Sequence, residues 1–180
     1  MSHEIETKVL DIDPTQMREM LAVLGARPVR ETRLIVDWYR PIGTQEGEDP
    51  WFLRIRSDSD GKHEATWKGK PEVIGTARKV PEVNITVPDP EALARLFLGI
   101  GLERYAHQEK DRSSFAHEGW LFEIDQYPGM PAFLEVEGKS DEHVRDGMRL
   151  LGVEGSRTWA EGERTLIQQI YGLDWYDMRF

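Results

Sequence analysis

Charged and apolar residues alternate along nearly every segment that reads as a strand, and this alternation limits what the chain can fold into. The clearest case is Glu4-Ile5-Glu6-Thr7-Lys8, close to the start of the sequence. Successive side chains of a strand point to opposite faces, so the two glutamates and the lysine share one face and Ile5 lies on the other. The same alternation recurs later in the chain around four charged pairs: Arg54 and Arg56, Lys110 and Arg112, Glu123 and Asp125, and Glu135 and Glu137. We therefore expect these strands to use both faces, one for charge and one for apolar packing.

The order of predicted elements repeats once along the chain. The first half predicts a helix from Asp13-Pro14 to Gly25 and strands at residues 3–10, 31–40, 51–58 and 62–69. The second half predicts a helix that begins at Asp89-Pro90 and strands at residues 76–87, 103–116, 119–126 and 132–138. In both Asp-Pro pairs the aspartate can cap the helix and the proline suits its first position. We interpret the repeat as an internal duplication of one supersecondary unit.

The two halves are predicted to form one domain. No low-complexity linker separates residues 1–72 from residues 73–138, and two shorter helices are predicted at 140–151 and 162–171, within the closing segment 139–180. A chain of 180 residues can bury a substantial core. We therefore expect a single domain over residues 1–180, with both halves contributing to one sheet system.

The alternation predicts an α+β fold in which the sheet closes on itself. Apolar strand faces can be covered by the apolar stripes of helices, which leaves the charged faces pointing inward. Closure also removes exposed strand edges. The predicted architecture is an eight-stranded antiparallel β-barrel, or tunnel, with a charged, water-filled interior and helices on its outer surface.

Composition excludes several functional classes. The chain has no cysteine, so it can form no disulfide, zinc–thiolate site or thiol nucleophile. Its net charge of −10 argues against nonspecific nucleic-acid binding, which requires a basic face. No apolar run approaches the length of a membrane span, and the first twenty residues lack a signal-peptide pattern. We expect a cytoplasmic protein without nucleic-acid or membrane partners.

The charged side chains of the predicted interior indicate a binding site for phosphate and metal. Interior charges are costly unless they are paired or bound to a ligand. Arginine and lysine donate to phosphate oxygens, and the basic residues that could do so are Lys8, Arg54, Arg56, Lys68, Arg78, Lys110 and Arg112. Carboxylates are hard oxygen ligands for Mg²⁺ or Mn²⁺, and the candidates are Glu4, Glu6, Asp125, Glu135 and Glu137.

The order of these motifs resembles the CYTH superfamily, also called triphosphate tunnel metalloenzymes. After Glu4-Ile5-Glu6-Thr7-Lys8, which matches the ExExK signature, come Leu-Arg-Ile-Arg (53–56), Thr-Trp-Lys-Gly (66–69), Lys-x-Arg (110–112), Ile-Asp (124–125) and Phe-Leu-Glu-Val-Glu (133–137). The resemblance covers roughly residues 3–138. It implies an eight-stranded tunnel, metal binding by Glu4, Glu6, Glu135 and Glu137, phosphate binding by the basic residues, and catalytic roles for Glu4, Glu6 and Lys8.

Several residues have an alternative interpretation. Arg54 and Arg56 could be cross-strand partners of interior carboxylates and bind no ligand. Glu82 and Glu123 could be ligands or charge-balancing residues. The fifth strand of the barrel departs from the usual pattern, because Pro81 predicts an edge or a bulge and Asn84 stands where an acid is frequent.

The resemblance implies an enzyme that acts on a triphosphate-containing small molecule. The favoured prediction is a metal-dependent triphosphatase, a hydrolase of inorganic triphosphate or of a small molecule such as thiamine triphosphate. One alternative is a class IV adenylyl cyclase, which converts ATP to cyclic AMP and pyrophosphate. A second is a polyphosphate-binding module without turnover. By resemblance, the tunnel is also compatible with a homodimer.

Overall fold

The strands of the computed structural model, which describes residues 2–180, follow the predicted order closely. They are β1 (Ser2–Ile12), β2 (Arg27–Pro41), β3 (Phe52–Asp58), β4 (His63–Lys68), β5 (Glu72–Ile74), β6 (Ala77–Thr86), β7 (Leu102–His117), β8 (Trp120–Gln126), β9 (Ala132–Glu137), β10 (Thr158–Trp159) and β11 (Asp177–Met178). The eight longest correspond to the eight predicted strands. The other three have two or three residues each, too few to show an alternating pattern.

Four helices accompany the strands among the described residues, and three of them begin at the predicted capping residues. They are α1 (Pro14–Leu24), α2 (Pro90–Gly99), α3 (Asp141–Leu150) and α4 (Glu163–Thr165), which continues as a π-helical turn (Leu166–Ile170). Asp13, Asp89 and Ser140 accept hydrogen bonds from backbone N–H groups in the first turns of α1, α2 and α3. None of the described helices has the length and apolar character needed to cross a lipid bilayer.

The long strands form a closed antiparallel barrel. Hydrogen-bonded neighbours follow the order β1-β9-β8-β7-β2-β3-β4-β6, and β6 pairs again with β1. Four of these strands come from each half of the chain, in keeping with the predicted repeat. The eight-stranded α+β barrel is therefore confirmed. We call the space enclosed by these eight strands the lumen.

The outer face of the barrel packs against α1 and α3. A single apolar core joins Met17 and Leu21 of α1 and Val144 and Met148 of α3 to outward-facing strand residues, which are Val9, Phe122, Ile124, Leu134 and Val136. All of these side chains are at most 3% exposed. By contrast, no residue of α2 is fully buried. The prediction that helices cover the outer face is thus met mainly by α1 and α3.

The lumen is not charged throughout, which corrects the expectation of a wholly ionic, water-filled interior. At one end, lumen-facing strand residues pack with Leu166, Ile167 and Trp175 of the C-terminal segment into a second apolar core. The strand residues are Leu10, Leu34, Val36, Trp38, Ala106 and Phe133. We call this set of nine residues the apolar floor. It arises because β2 carries Leu34, Val36 and Trp38 at its inward positions, where their partners on the neighbouring strand β3 are the charged residues Asp58, Arg56 and Arg54.

Pro81 does not mark an edge or a bulge, so that prediction is wrong. Strand β6 has neighbours on both sides, and its ladders with β1 and β4 run without a register shift. The carbonyl of Pro81 accepts a hydrogen bond from the Gly69 N–H at 3.0 Å, just beyond the last β4 pair, Lys68 with Glu82. In a strand, the N–H and the C=O of one residue point toward the same neighbouring strand. The N–H that proline lacks would therefore point to the same side as the Pro81 carbonyl, just beyond the end of the β4–β6 ladder.

Candidate functional site

A cavity of about 700 Å³ opens between the apolar floor and the opposite end of the lumen. Its walls include ten of the twelve residues predicted to bind metal or phosphate: Glu4, Glu6, Arg54, Arg56, Lys68, Arg78, Lys110, Arg112, Glu135 and Glu137. Strand pairing explains the convergence, because Glu6 lies opposite both Arg78 and Glu137, and Arg112 lies opposite Asp125. The two predicted residues outside the cavity wall are Lys8 and Asp125.

Three glutamates at one side of this cavity are incompletely neutralised. Glu137 forms no hydrogen bond or ion pair with any described residue, and its pKa is raised to about 8 by burial and by the nearby carboxylates, first Glu4 and then Glu6. The pKa of Glu4 is also raised, mainly by burial and by Glu6, although Lys68 donates to its Oε2 at 2.5 Å. The mutual repulsion of these carboxylates favours a bound cation.

Glu6 remains ionised because cations surround it. Burial is the largest influence and would raise its pKa, but Lys8, Arg78 and Lys68 outweigh burial and the repulsion from Glu135 and lower the pKa to about 2. Only Oε1 of Glu6 accepts hydrogen bonds from the described residues, namely from Lys8 and Arg78. Its second oxygen therefore stays available to a ligand in the cavity.

Lys8 lies behind the carboxylates and does not face the cavity. It is 0% exposed, and its Nζ is 3.0 Å from Glu6 Oε1 and 3.1 Å from Glu135 Oε1. Burial and Arg78 would lower the pKa of Lys8, but the carboxylates outweigh them and raise it. In this arrangement Lys8 orients two acids of the wall and neutralises their charge, whereas the sequence predicted direct contact with the substrate.

A second ionic network lies deeper in the lumen, around Asp125. Asp125 is fully buried, and its oxygens accept hydrogen bonds from Lys110 at 2.6 Å and from Arg112 at 2.6 and 2.5 Å. One oxygen each of Asp125, Glu135 and Glu163 lie within 4.8 Å of one another, which is close enough for a metal site. Both oxygens of each of these three acids already have partners, whereas Glu4 and Glu6 each keep one oxygen that accepts no hydrogen bond from the described residues, and Glu137 has no partner among them.

The remaining basic residues are paired with carboxylates, with one exception. Lys68 contacts Glu4 at 2.5 Å and Glu82 at 2.7 Å, and Arg56 contacts Glu64 at 2.7 Å. Arg54 forms no ion pair among the described residues; it lies over the Trp38 ring at 5.5 Å and buries an Nε that has no hydrogen-bond partner. Arg54 is therefore the basic side chain that is free to bind an anion without first leaving a carboxylate.

Glu82 and Glu123, which the sequence left open, both contact basic residues. Glu82 binds Lys68, and Glu123 binds Arg112 and accepts a hydrogen bond from Ser114 at 2.8 Å. Both also line the cavity. Their contacts favour a charge-balancing role for each.

Two residues of the site come from the C-terminal segment and were not predicted from the sequence. Glu163, at the start of α4, lines the cavity and accepts a hydrogen bond from Lys110 at 2.6 Å, and the neighbouring Arg164 forms an ion pair with Asp49 at 2.6 Å. Neither residue belongs to a strand, so the alternation that identified the other site residues could not reveal them. Only the packing of α4 against the end of the barrel brings them to the site.

A closed antiparallel barrel whose lumen holds acids and bases around one cavity defines a class of tunnel protein. The CYTH domain family matches residues 2–151 of this chain, which is most of its length. The chain therefore belongs to the CYTH domain family.

Individual relatives agree with this assignment. A protein of Methanocaldococcus jannaschii named "Putative adenylate cyclase" is 28% identical over 144 residues, which cover 79% of this chain and 81% of the relative. The solved structure of a cyclase candidate from Vibrio parahaemolyticus superimposes with a TM-score of 0.80 at 14% identity, over 93% of this chain and 98% of that one. An adenylyl cyclase candidate from Hippeastrum with a dominant triphosphatase activity gives a TM-score of 0.70 at 16% identity, over 96% of each chain. The two structural likenesses establish a shared fold.

Proposed function

We propose that this protein is a divalent-metal-dependent hydrolase of a triphosphate substrate, either inorganic triphosphate or a triphosphorylated small molecule such as thiamine triphosphate. One observation carries the proposal. The same cavity is lined by the acids Glu4, Glu6 and Glu137, of which Glu137 has no partner among the described residues, and by the basic residues Arg54, Arg56, Lys68, Arg78, Lys110 and Arg112.

The donor set suits a hard divalent cation such as Mg²⁺ or Mn²⁺. Glu137 has no partner among the described residues, and one oxygen each of Glu4 and Glu6 accepts no hydrogen bond from them. Carboxylate oxygens are the ligands that these ions prefer. We assign Glu4, Glu6 and Glu137 as the principal ligands and Glu135 and Asp125 as supporting acids that hold Lys8, Lys110 and Arg112.

The basic residues of the wall would hold the phosphate groups. We assign this role to Arg54, Arg56, Lys68, Arg78, Lys110 and Arg112. Arginine can donate two parallel hydrogen bonds to a phosphate, and lysine supplies a compact charge. Lys8, fully buried behind Glu6 and Glu135, is assigned to orienting those carboxylates.

Hydrolysis at such a site requires positioning and charge stabilisation but no protein nucleophile. A bound divalent ion would neutralise charge that develops on the phosphate oxygens. The arginines and lysines hold the phosphate chain and stabilise the same charge. Glu137, which has no partner among the described residues, can keep a water molecule hydrogen-bonded near the terminal phosphate.

An adenylyl cyclase is the second candidate function. The Methanocaldococcus jannaschii relative carries that name, and the cavity of about 700 Å³ falls in the range that accommodates whole organic ligands. The aromatic rings of Trp38 and Phe52 also line it, as would suit a nucleobase.

Product analysis tests the proposal. The purified protein is incubated with Mg²⁺ or Mn²⁺ and, separately, with inorganic triphosphate, thiamine triphosphate or ATP, and the products are resolved by chromatography. Orthophosphate release supports hydrolysis and identifies the substrate. Cyclic AMP with pyrophosphate would establish the cyclase instead. Triphosphate binding without any product would identify a binding module and overturn both enzymatic candidates.

A matched pair of variants tests the metal assignment. Outer-shell partners of a metal typically contribute about 10- to 100-fold in activity, so loss of a direct ligand in Glu137→Gln should reduce turnover by at least about 100-fold. Glu142→Gln changes an exposed acid on α3 and should leave turnover unchanged. Wild-type turnover by the Glu137 variant at limiting Mg²⁺ would contradict the assignment.

A further inference from the structure

Glu163 lies outside the residues that match the family, yet it reaches the centre of the ionic network. The match ends at residue 151, and Glu163 begins α4 in the segment that follows. Its side chain is 14% exposed, and its two oxygens have different partners: Oε1 accepts from Lys110 Nζ at 2.6 Å, and Oε2 accepts from the Tyr127 hydroxyl at 2.7 Å. Both contacts come from the barrel, so this carboxylate is fixed by strand β7 and by the chain that follows β8.

Among the lumen-facing basic residues of β7, Lys110 lies nearest the apolar floor. The next lumen-facing residue toward the apolar floor is Gln108, which accepts from Trp38 Nε1 and donates to the carbonyl of Trp175. A lysine has three N–H donors. Asp125 and Glu163 each accept one of these from Lys110 at 2.6 Å, which leaves one for a ligand.

The contact with Asp125 alone does not determine the direction of the third N–H of Lys110. Arg112 also donates to both oxygens of Asp125, so Lys110 shares this carboxylate with a second cation. Without Glu163, the ammonium group could rotate about its single remaining contact. With Glu163, two acceptors hold the ammonium group of Lys110, which also lines the cavity.

We propose that Glu163 is a positioning residue, which holds Lys110 so that its free N–H meets the innermost phosphate group of the substrate. This inference rests on the proposed function of the cavity as a triphosphate site. It gives the C-terminal segment two roles: the π-helical turn contributes Leu166 and Ile167 to the apolar floor, and Glu163 of α4 orients a cation of the phosphate site.

The test compares Glu163→Gln with two other variants. Misplacement of a binding group by about 1 Å can reduce turnover about 100-fold, so Glu163→Gln should lower kcat about 10- to 100-fold. Its KM should stay unchanged or fall, because the variant removes a negative charge near the substrate. Tyr127→Phe removes only the second anchor of Glu163 and should show a smaller loss of kcat. Glu142→Gln, on the outside of α3, should match the wild type.

Phosphorus NMR of bound inorganic triphosphate provides a readout that does not depend on turnover. In Glu163→Gln, we expect one terminal phosphate resonance to shift while the other resonances keep their wild-type positions. If the wild type binds triphosphate but forms no product, the proposed hydrolase fails and this readout still tests the role of Glu163. A wild-type spectrum together with wild-type kcat would overturn the inference, as would a loss of kcat that only parallels a lower thermal stability.

Discussion

The carboxylate of Glu137 has the least compensated charge in the lumen. Glu4, Glu6 and Glu135 each contact at least one basic side chain, whereas Glu137 contacts none among the described residues. Burial and the neighbouring acids therefore raise its pKa to about 8, from an ordinary value of 4.5. In the metal-free protein this residue keeps its proton at neutral pH, and in the unfolded chain it does not.

This difference predicts a specific pH dependence of stability. Between about pH 4.5 and pH 8 the folded protein holds a proton on Glu137 that the unfolded chain has released, so the contribution of this group to stability falls as pH rises and then levels off above pH 8. In metal-free buffer, Glu137→Gln should remove that decline and melt at a higher temperature than the wild type at pH 8. Thermal unfolding followed by circular dichroism from pH 5 to pH 9 measures the effect.

The same titration with excess Mg²⁺ serves as its control. A bound cation favours the ionised carboxylate, so the wild type should gain stability and the variant should gain little. Parallel pH profiles for the two proteins without metal would show that Glu137 is not protonated as described.

At the scale of elements, the contact between α3 and the barrel depends on a glycine. A Cβ built on Gly147 would lie 2.8 Å from Trp120 Nε1 and 3.2 Å from Val136 Cγ1, so only glycine allows this close approach. The indole of Trp120 donates to the carbonyl of His143 at 2.6 Å and stacks on the His143 ring at 4.1 Å. Trp120 therefore cannot move aside without losing both contacts.

Alanine substitutions at two helical glycines test this packing. Alanine is favoured over glycine by about 1 kcal/mol in a helix, whereas overpacking costs about 1–3 kcal/mol. Gly147→Ala should therefore be destabilising overall, with a lower midpoint of chemical denaturation. Gly99→Ala, at the end of α2 where nothing lies within 4 Å, should be neutral or slightly stabilising. Equal midpoints for the two variants would contradict the close approach of α3.

At the scale of the whole molecule, we expect the barrel to couple metal binding to phosphate binding. Without a bound metal, Glu4 holds Lys68 and Glu6 holds Arg78, so these cations are already paired. Carboxylates that bind a metal are weaker partners for lysine and arginine. The cations then become available to phosphate, and each ligand should strengthen the binding of the other.

Calorimetry can measure this coupling. Binding of inorganic triphosphate should be about 5- to 150-fold tighter with excess Mg²⁺ than with a chelator, which is the usual range for coupled sites. Since Mg²⁺ also binds free triphosphate, Glu137→Gln is the essential comparison, and the enhancement should be largely lost in it. Equal enhancement in both proteins would place the coupling in solution and not in the lumen.

The sequence by itself determined the strand order, the repeat and the face on which each charged residue lies. Strand alternation is a local property with a period of two, so the spacing of Glu4 and Glu6 is enough to place both on the same face of β1. The capping aspartates Asp13 and Asp89 are equally local, since each binds backbone N–H groups within three residues. The closed barrel followed because charged and apolar faces had to be separated.

Only the tertiary structure decided how deep each charged side chain lies in the lumen and which residues it contacts there. Strand tilt and register determine that Lys8 lies behind the carboxylates, that Arg54 lacks a carboxylate partner among the described residues and that Glu137 is left unneutralised. The apolar floor and Glu163 depend on how the C-terminal segment packs against one end of the barrel. Alternation specifies a face of the sheet but not a position along the barrel axis or a partner across it, because both depend on contacts between residues far apart in the chain.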